Sequence, residues 1–121
     1  MKRILVIDDD DQLRAMLKQL LEKNGYEVLL AENGKNGIKL FYEKGADLII
    51  TDLIMPEKEG LETIIELHKN VPDLKIIAIS GGGRIRPEDY LKLSESLGAD
   101  RSFKKPFNGK ELLSAVSELL L

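Results

Sequence analysis

Apolar residues in this chain cluster in short continuous runs, and the stretches between the runs repeat with helical spacing. Ile4-Leu5-Val6-Ile7, Leu48-Ile49-Ile50 and Ile76-Ile77-Ala78-Ile79 are each bounded by polar or turn residues. That is the pattern of strands buried on both faces of a sheet. Leu13, Met16, Leu17, Leu20 and Leu21 predict a first helix, stopped at Asn24-Gly25 because glycine tolerates the left-handed cap conformation. Asn33 opens a second helix, with Ile38, Leu40 and Phe41 inside and Gly45 closing it. A third runs from Gly60 to Asn70, with Leu61, Ile64 and Ile65 as its apolar residues, and is ended by Pro72. Pro87 suits the first turn of a fourth helix, which Gly98 closes. Asn108 and Glu111 make a capping-box-like start for a fifth, carried through Leu112, Leu113, Val116 and Leu120. Two more polar segments, Tyr26 to Ala31 and Arg101 to Lys104, complete five strands.

Strict alternation of strand and helix predicts an α/β fold, a parallel sheet with helices on both faces. The three most apolar strands belong at the centre and the second and fifth at the edges. The order 2-1-3-4-5 satisfies this, with a switch point between strands 1 and 3.

Composition narrows the picture. The 121 residues predict one domain over 1–121, and the 43% hydrophobic content suffices for a core without staples. There is no cysteine, which removes disulfide and thiol chemistry. No signal peptide or run near the ~20 apolar residues of a membrane span is present, so the expectation is a cytoplasmic protein. The 18 basic residues are spread out, net charge is −3, and no basic stripe points to nucleic acid.

The candidate chemistry lies at the carboxyl ends of the strands. Strand 1 delivers Asp8 and Asp9, strand 3 Asp52, strand 4 Ser80, and strand 5 is followed by Lys105 and Pro106. In the 2-1-3-4-5 order these converge on one crevice. Two carboxylates ~4 Å apart repel by about 1 kcal/mol in water and about 4 at an effective dielectric of 20. A divalent cation relieves that, and Mg²⁺ takes one or two carboxylates with waters and a phosphoryl oxygen. Aspartate can form an acyl phosphate, and a metal and a lysine neutralise charge on a transferring phosphoryl group. Simpler roles suit the neighbours. Asp10 and Asp11 cap the first helix, Lys104 is a solvated lysine, and His68 is a boundary residue. With one histidine and no cysteine there is no zinc set.

Taken together, ILVIDD at 4–9, DLIITDLIMPEKEG at 47–60, IIAISG at 76–81 and GADRSFKKPF at 98–107 resemble the receiver domain of two-component response regulators over the whole chain. The resemblance implies the flavodoxin-like, doubly wound fold with the same strand order. It implies a phosphorylation-controlled signalling switch with Asp52 as phospho-acceptor. Mg²⁺ would be bound by Asp9, Asp52 and the backbone carbonyl of Ile54, with Asp8 supporting its waters. Ser80 would hydrogen-bond the phosphoryl group and Lys105 would pair with it, with the Lys105–Pro106 bond cis. The implied partners are a sensor histidine kinase or histidine phosphotransfer protein and a downstream output protein, the latter not encoded in these residues. The domain would catalyse its own phosphorylation and dephosphorylation. Leu13 and Met16 would lie near the rim, where the histidine-bearing helices dock. Ile54 and Gly82 would flank the path of the hydrolytic water, and as neither can orient a water, self-dephosphorylation is expected to be slower than in receivers with polar residues there.

One position departs from the family pattern. Where Tyr or Phe commonly stands three residues before the lysine, this chain has Ser102, and alternation aims Phe103 at the other face. Output is then expected through Gly81, Gly82 and Gly83 after strand 4 rather than through an aromatic switch. A haloacid-dehalogenase-type phosphohydrolase using Asp8 is the alternative from the enzyme class, since Asp8-x-Asp10 superficially fits its first motif. Gln12 stands where that motif has Thr or Val, and no later acidic pair follows. A flavodoxin-like nucleotide binder is disfavoured by the acidic first loop, which would repel a phosphate.

Overall fold

The computed structural model describes the backbone of residues 1–53, 60–81 and 87–121, and the side chains of all of these but Pro87, Glu88 and Tyr90. Five strands, β1 (Arg3–Ile7), β2 (Glu27–Ala31), β3 (Leu48–Asp52), β4 (Lys75–Ser80) and β5 (Arg101–Lys104), alternate with five helices, α1 (Asp11–Lys23), α2 (Gly34–Lys44), α3 (Gly60–Asn70), α4 (Pro87–Leu97) and α5 (Gly109–Leu119). All strand pairs are parallel, in the order β2-β1-β3-β4-β5. The expected doubly wound architecture is therefore present.

Each sheet face builds its own core, because successive strand side chains point to opposite sides. Leu5, Ile7, Ile49, Ile76 and Ala78 face α2, α3 and α4, meeting Ile38, Phe41, Ile64, Leu67 and Leu91. Ile4, Val6, Leu48, Ile50, Ile77 and Ile79 face α1 and α5, meeting Leu17, Leu21, Leu112, Ala115 and Val116. The three central strands are buried nearly throughout, which is why they read as continuous apolar runs.

Helix ends follow the capping residues. The Asp10 carboxylate accepts from the N–H groups of Gln12 and Leu13, Asn33 from Asn36, and Asn108 from Lys110 and Glu111. Gly25 and Gly45 hold φ of 92° and 77° at the ends of α1 and α2. Of the apolar residues of α3, Ile65 is 47% exposed. Adjacent helical residues lie about 100° apart, so Ile64 enters the core and Ile65 turns away.

Candidate functional site

Strand register brings the polar residues to one edge. Ile7 pairs with Thr51 and Asp52 with Ile79, so Asp8, the next residue of its chain, stands beside Asp52. Ser80 pairs with Lys104, and the N–H of Lys105 donates to the Ser80 carbonyl at 2.8 Å. Asp8 and Ser80 are completely buried and Asp52 is 6% exposed, whereas Asp9 is exposed.

Lys105 joins the two strands' carboxylates. Its Nζ lies 3.0 Å from Asp8 Oδ2 and 3.1 Å from Asp52 Oδ2, and the Lys105–Pro106 bond is cis, as expected. Asp8 Oδ1 accepts from the Asp10 N–H at 2.8 Å. Burial raises the Asp8 carboxyl above its ordinary value, against the lowering effects of the Asp10 N–H and the Lys105 ammonium. Burial also pushes Lys105 down, but the Asp52 and Asp8 carboxylates outweigh it and hold the ammonium above its ordinary value. The Ser80 hydroxyl is buried with no hydrogen-bond partner among the described residues, and a buried polar group in that state calls for a ligand, water or ion.

Carboxylate oxygens of Asp8, Asp9 and Asp52 lie within 4.8 Å of one another. Three formal negative charges against one ammonium leave two, the charge of one divalent cation. The donors are oxygen only, which suits a hard cation such as Mg²⁺. The pocket therefore fits Mg²⁺ both in charge and in donor chemistry.

The other assignments also have places. Asp10 caps α1 as expected, but Asp11 is a correction: it is the first helical residue and its carboxylate pairs with Arg14 rather than capping the helix. Lys104 is exposed as expected, whereas His68, expected at a boundary, is exposed too. The Ser102 hydroxyl donates to Glu95 on α4, while Phe103 packs on the α1–α5 face, as alternation requires. Ile54, Gly82 and Gly83 lie outside the described residues.

Three residues have roles at the site that were not read from the sequence. A Cβ on Gly60 would stand 1.9 Å from the Asp52 carbonyl oxygen, so only glycine fits beside the end of β3. A Cβ on Gly81 would stand 2.2 Å from Lys105 Cβ, so its role is to clear the lysine stem. Arg14 Nη1 donates to the Asp8 carbonyl at 2.6 Å.

Residues 4–117 match the model of the response regulator receiver domain. The chain belongs to that family. Receiver domains are phosphorylated on aspartate, and the acidic pocket here agrees with that assignment. The chain is 35% identical over 120 residues to the transcriptional regulatory protein CpxR of Klebsiella pneumoniae, covering 99% of this chain and 50% of that protein. It thus spans about half the length of that relative. It is 34% identical over 124 residues to the response regulator receiver protein CpdR of Brucella abortus, covering 100% of this chain and 98% of that one. A receiver domain protein from Clostridium thermocellum superposes with a TM-score of 0.90 at 32% identity, covering 99% and 94% of the two chains. The response regulator TrrA of Thermotoga maritima, solved in complex with Mg²⁺-BeF, gives 0.87 at 40% identity, covering 99% and 100%. The phosphohydrolase alternative finds no support. The family match is to the receiver domain over residues 4–117.

Proposed function

We propose that residues 1–121 form one receiver unit in which Asp52 accepts a phosphoryl group from a phosphohistidine of a sensor histidine kinase or histidine phosphotransfer protein. The observation that carries this is the Lys105 ammonium bridging Asp8 and Asp52 at 3.0 and 3.1 Å at the carboxyl edge of the sheet. A carboxylate oxygen of Asp52 attacks phosphorus, the N–P bond breaks, and the imidazole leaves with the bonding pair. Lys105 offsets charge on the phosphoryl oxygens and the Ser80 hydroxyl donates to one of them, which satisfies a group with no partner among the described residues. Asp8, Asp9, Asp52 and the Ile54 carbonyl would hold Mg²⁺, which supplies further neutralisation of the phosphoryl oxygens. The Mg²⁺-BeF complex of the Thermotoga relative supports that choice of metal. In this reading the domain catalyses both its own phosphorylation and its dephosphorylation, works in the cytoplasm, and acts on a separate output protein or domain. Among the described residues, no helix is long and apolar enough to cross a membrane.

Incubation with acetyl phosphate and Mg²⁺, followed by intact mass, tests the assignment. The wild type should gain one phosphoryl group and Asp52→Asn none, because an amide is not a competent nucleophile. Phosphate appearing on the peptide around residue 52 of Asp52→Asn would overturn it.

A further inference from the structure

Four consecutive aspartates leave β1, and the protein itself engages three of their carboxylates. Asp8 accepts from the Asp10 N–H and from Lys105. Asp10 accepts from the N–H groups of Gln12 and Leu13, and Asp11 pairs with Arg14. The Asp9 carboxylate makes no hydrogen bond or ion pair among the described residues, yet it reaches within 4.8 Å of the Asp8 and Asp52 oxygens. Its direction is therefore set by its backbone.

That backbone is clamped by Arg14. The peptide joining Asp8 to Asp9 presents its carbonyl to Arg14 Nη1 at 2.6 Å, while Nη2 holds Asp11. Arg14 is itself fixed, its N–H donating to the Asp10 carbonyl at 3.0 Å and its side chain only 16% exposed. A planar guanidinium with rigidly placed donors suits such a two-point hold, and a charged donor strengthens the bond to the carbonyl.

We infer that Arg14 is a positioning residue for the cation pocket, aiming the Asp9 carboxylate at the oxygens of Asp8 and Asp52. The inference rests on the Mg²⁺ reading of that pocket. Two effects of Arg14 on a cation have opposite signs. Its charge repels the ion, so charge removal alone tightens binding. Its clamp fixes a ligand, so loss of the clamp weakens binding.

Calorimetric titration with Mg²⁺ alone separates them, using wild type, Arg14→Met and Arg14→Gln, with urea unfolding in EDTA as a parallel measurement. Neither replacement side chain can span Asp8 and Asp11. Mg²⁺ affinity should fall on the order of 10-fold in both, the scale seen when groups that orient metal ligands are removed. Equal or tighter binding overturns the inference, as does a loss of stability in EDTA with unchanged Mg²⁺ affinity. If Arg14→Met does not fold, Arg14→Gln is read by the same criteria. Failure of the wild type to bind Mg²⁺ would overturn the metal reading itself, and this inference with it.

Discussion

The Asp8 carboxyl is held above its ordinary value by burial, and this has a consequence for stability. A group whose folded value is raised favours the fold most below its unfolded value, here 3.8, and that contribution is lost as pH rises through the folded value. Burial of Asp8 is therefore a cost that the metal-free domain carries near neutrality. Asp8→Asn, which resembles the neutral acid, should be more stable than wild type in EDTA at pH 7. The difference should shrink as pH falls toward and below 3.8. Urea midpoints across that range check it, and a gap that does not change with pH would contradict it. Residue types alone separated Asp8 and Asp9 from Asp10 and Asp11 at the helix start, because a strand end and a helix start make different demands, although only Asp10 caps α1 and Asp11 pairs with Arg14 instead. They could not reveal the bond from Arg14 to the Asp8 carbonyl, because a backbone acceptor leaves no mark in the sequence.

Whole elements were legible where one physical demand dominated. The apolar runs of β1, β3 and β4 correspond to strands buried on both faces, and Asp10, Asn33 and Asn108 occupy the helix caps expected of them. Asp10→Ala should lower stability by about 1 kcal/mol through the loss of two accepted N–H bonds. Chemical denaturation checks this, and no change would mean that water caps α1 equally well. Legibility failed where the demand came from an element distant in sequence. The run Gly81-Gly82-Gly83 suggests backbone freedom, yet Gly81 is needed for space, since Lys105 Cβ lies 2.2 Å from where its Cβ would be. Gly81→Ala must displace the lysine stem from the root, at about 1–3 kcal/mol. It should slow phosphorylation by acetyl phosphate as Lys105 leaves Asp52. Unaltered rate and stability would show that the stem shifts freely. Ser102 departs from the family's aromatic at this position and instead ties β5 to α4 through Glu95.

For the molecule as a whole, the proposed phosphotransfer implies that the crevice and its surroundings would distinguish two kinds of phosphoryl donor. A groove of about 340 Å³ runs beside the site, lined by Leu13, Met16, Lys105, Pro106 and Phe107 among others. Leu13 is partly buried against the α1–α5 core, but Met16 is 42% exposed. The apolar stripe of α1 is thus wider than its buried face, which Leu17 and Leu21 fill. A small donor such as acetyl phosphate needs only the crevice, whereas helices carrying a phosphohistidine must also rest on the rim. Met16→Asp places a charge on that rim without entering the core, so stability should change by less than roughly 0.5 kcal/mol. Transfer from a phosphorylated histidine phosphotransfer protein should slow by on the order of 10-fold, the equivalent of about 1.4 kcal/mol of lost contact. The acetyl phosphate reaction, followed by mass under the same Mg²⁺, should keep its rate. Equal slowing of both reactions would place the effect of Met16 in the crevice chemistry rather than in docking, and equal retention of both would move the docking surface elsewhere.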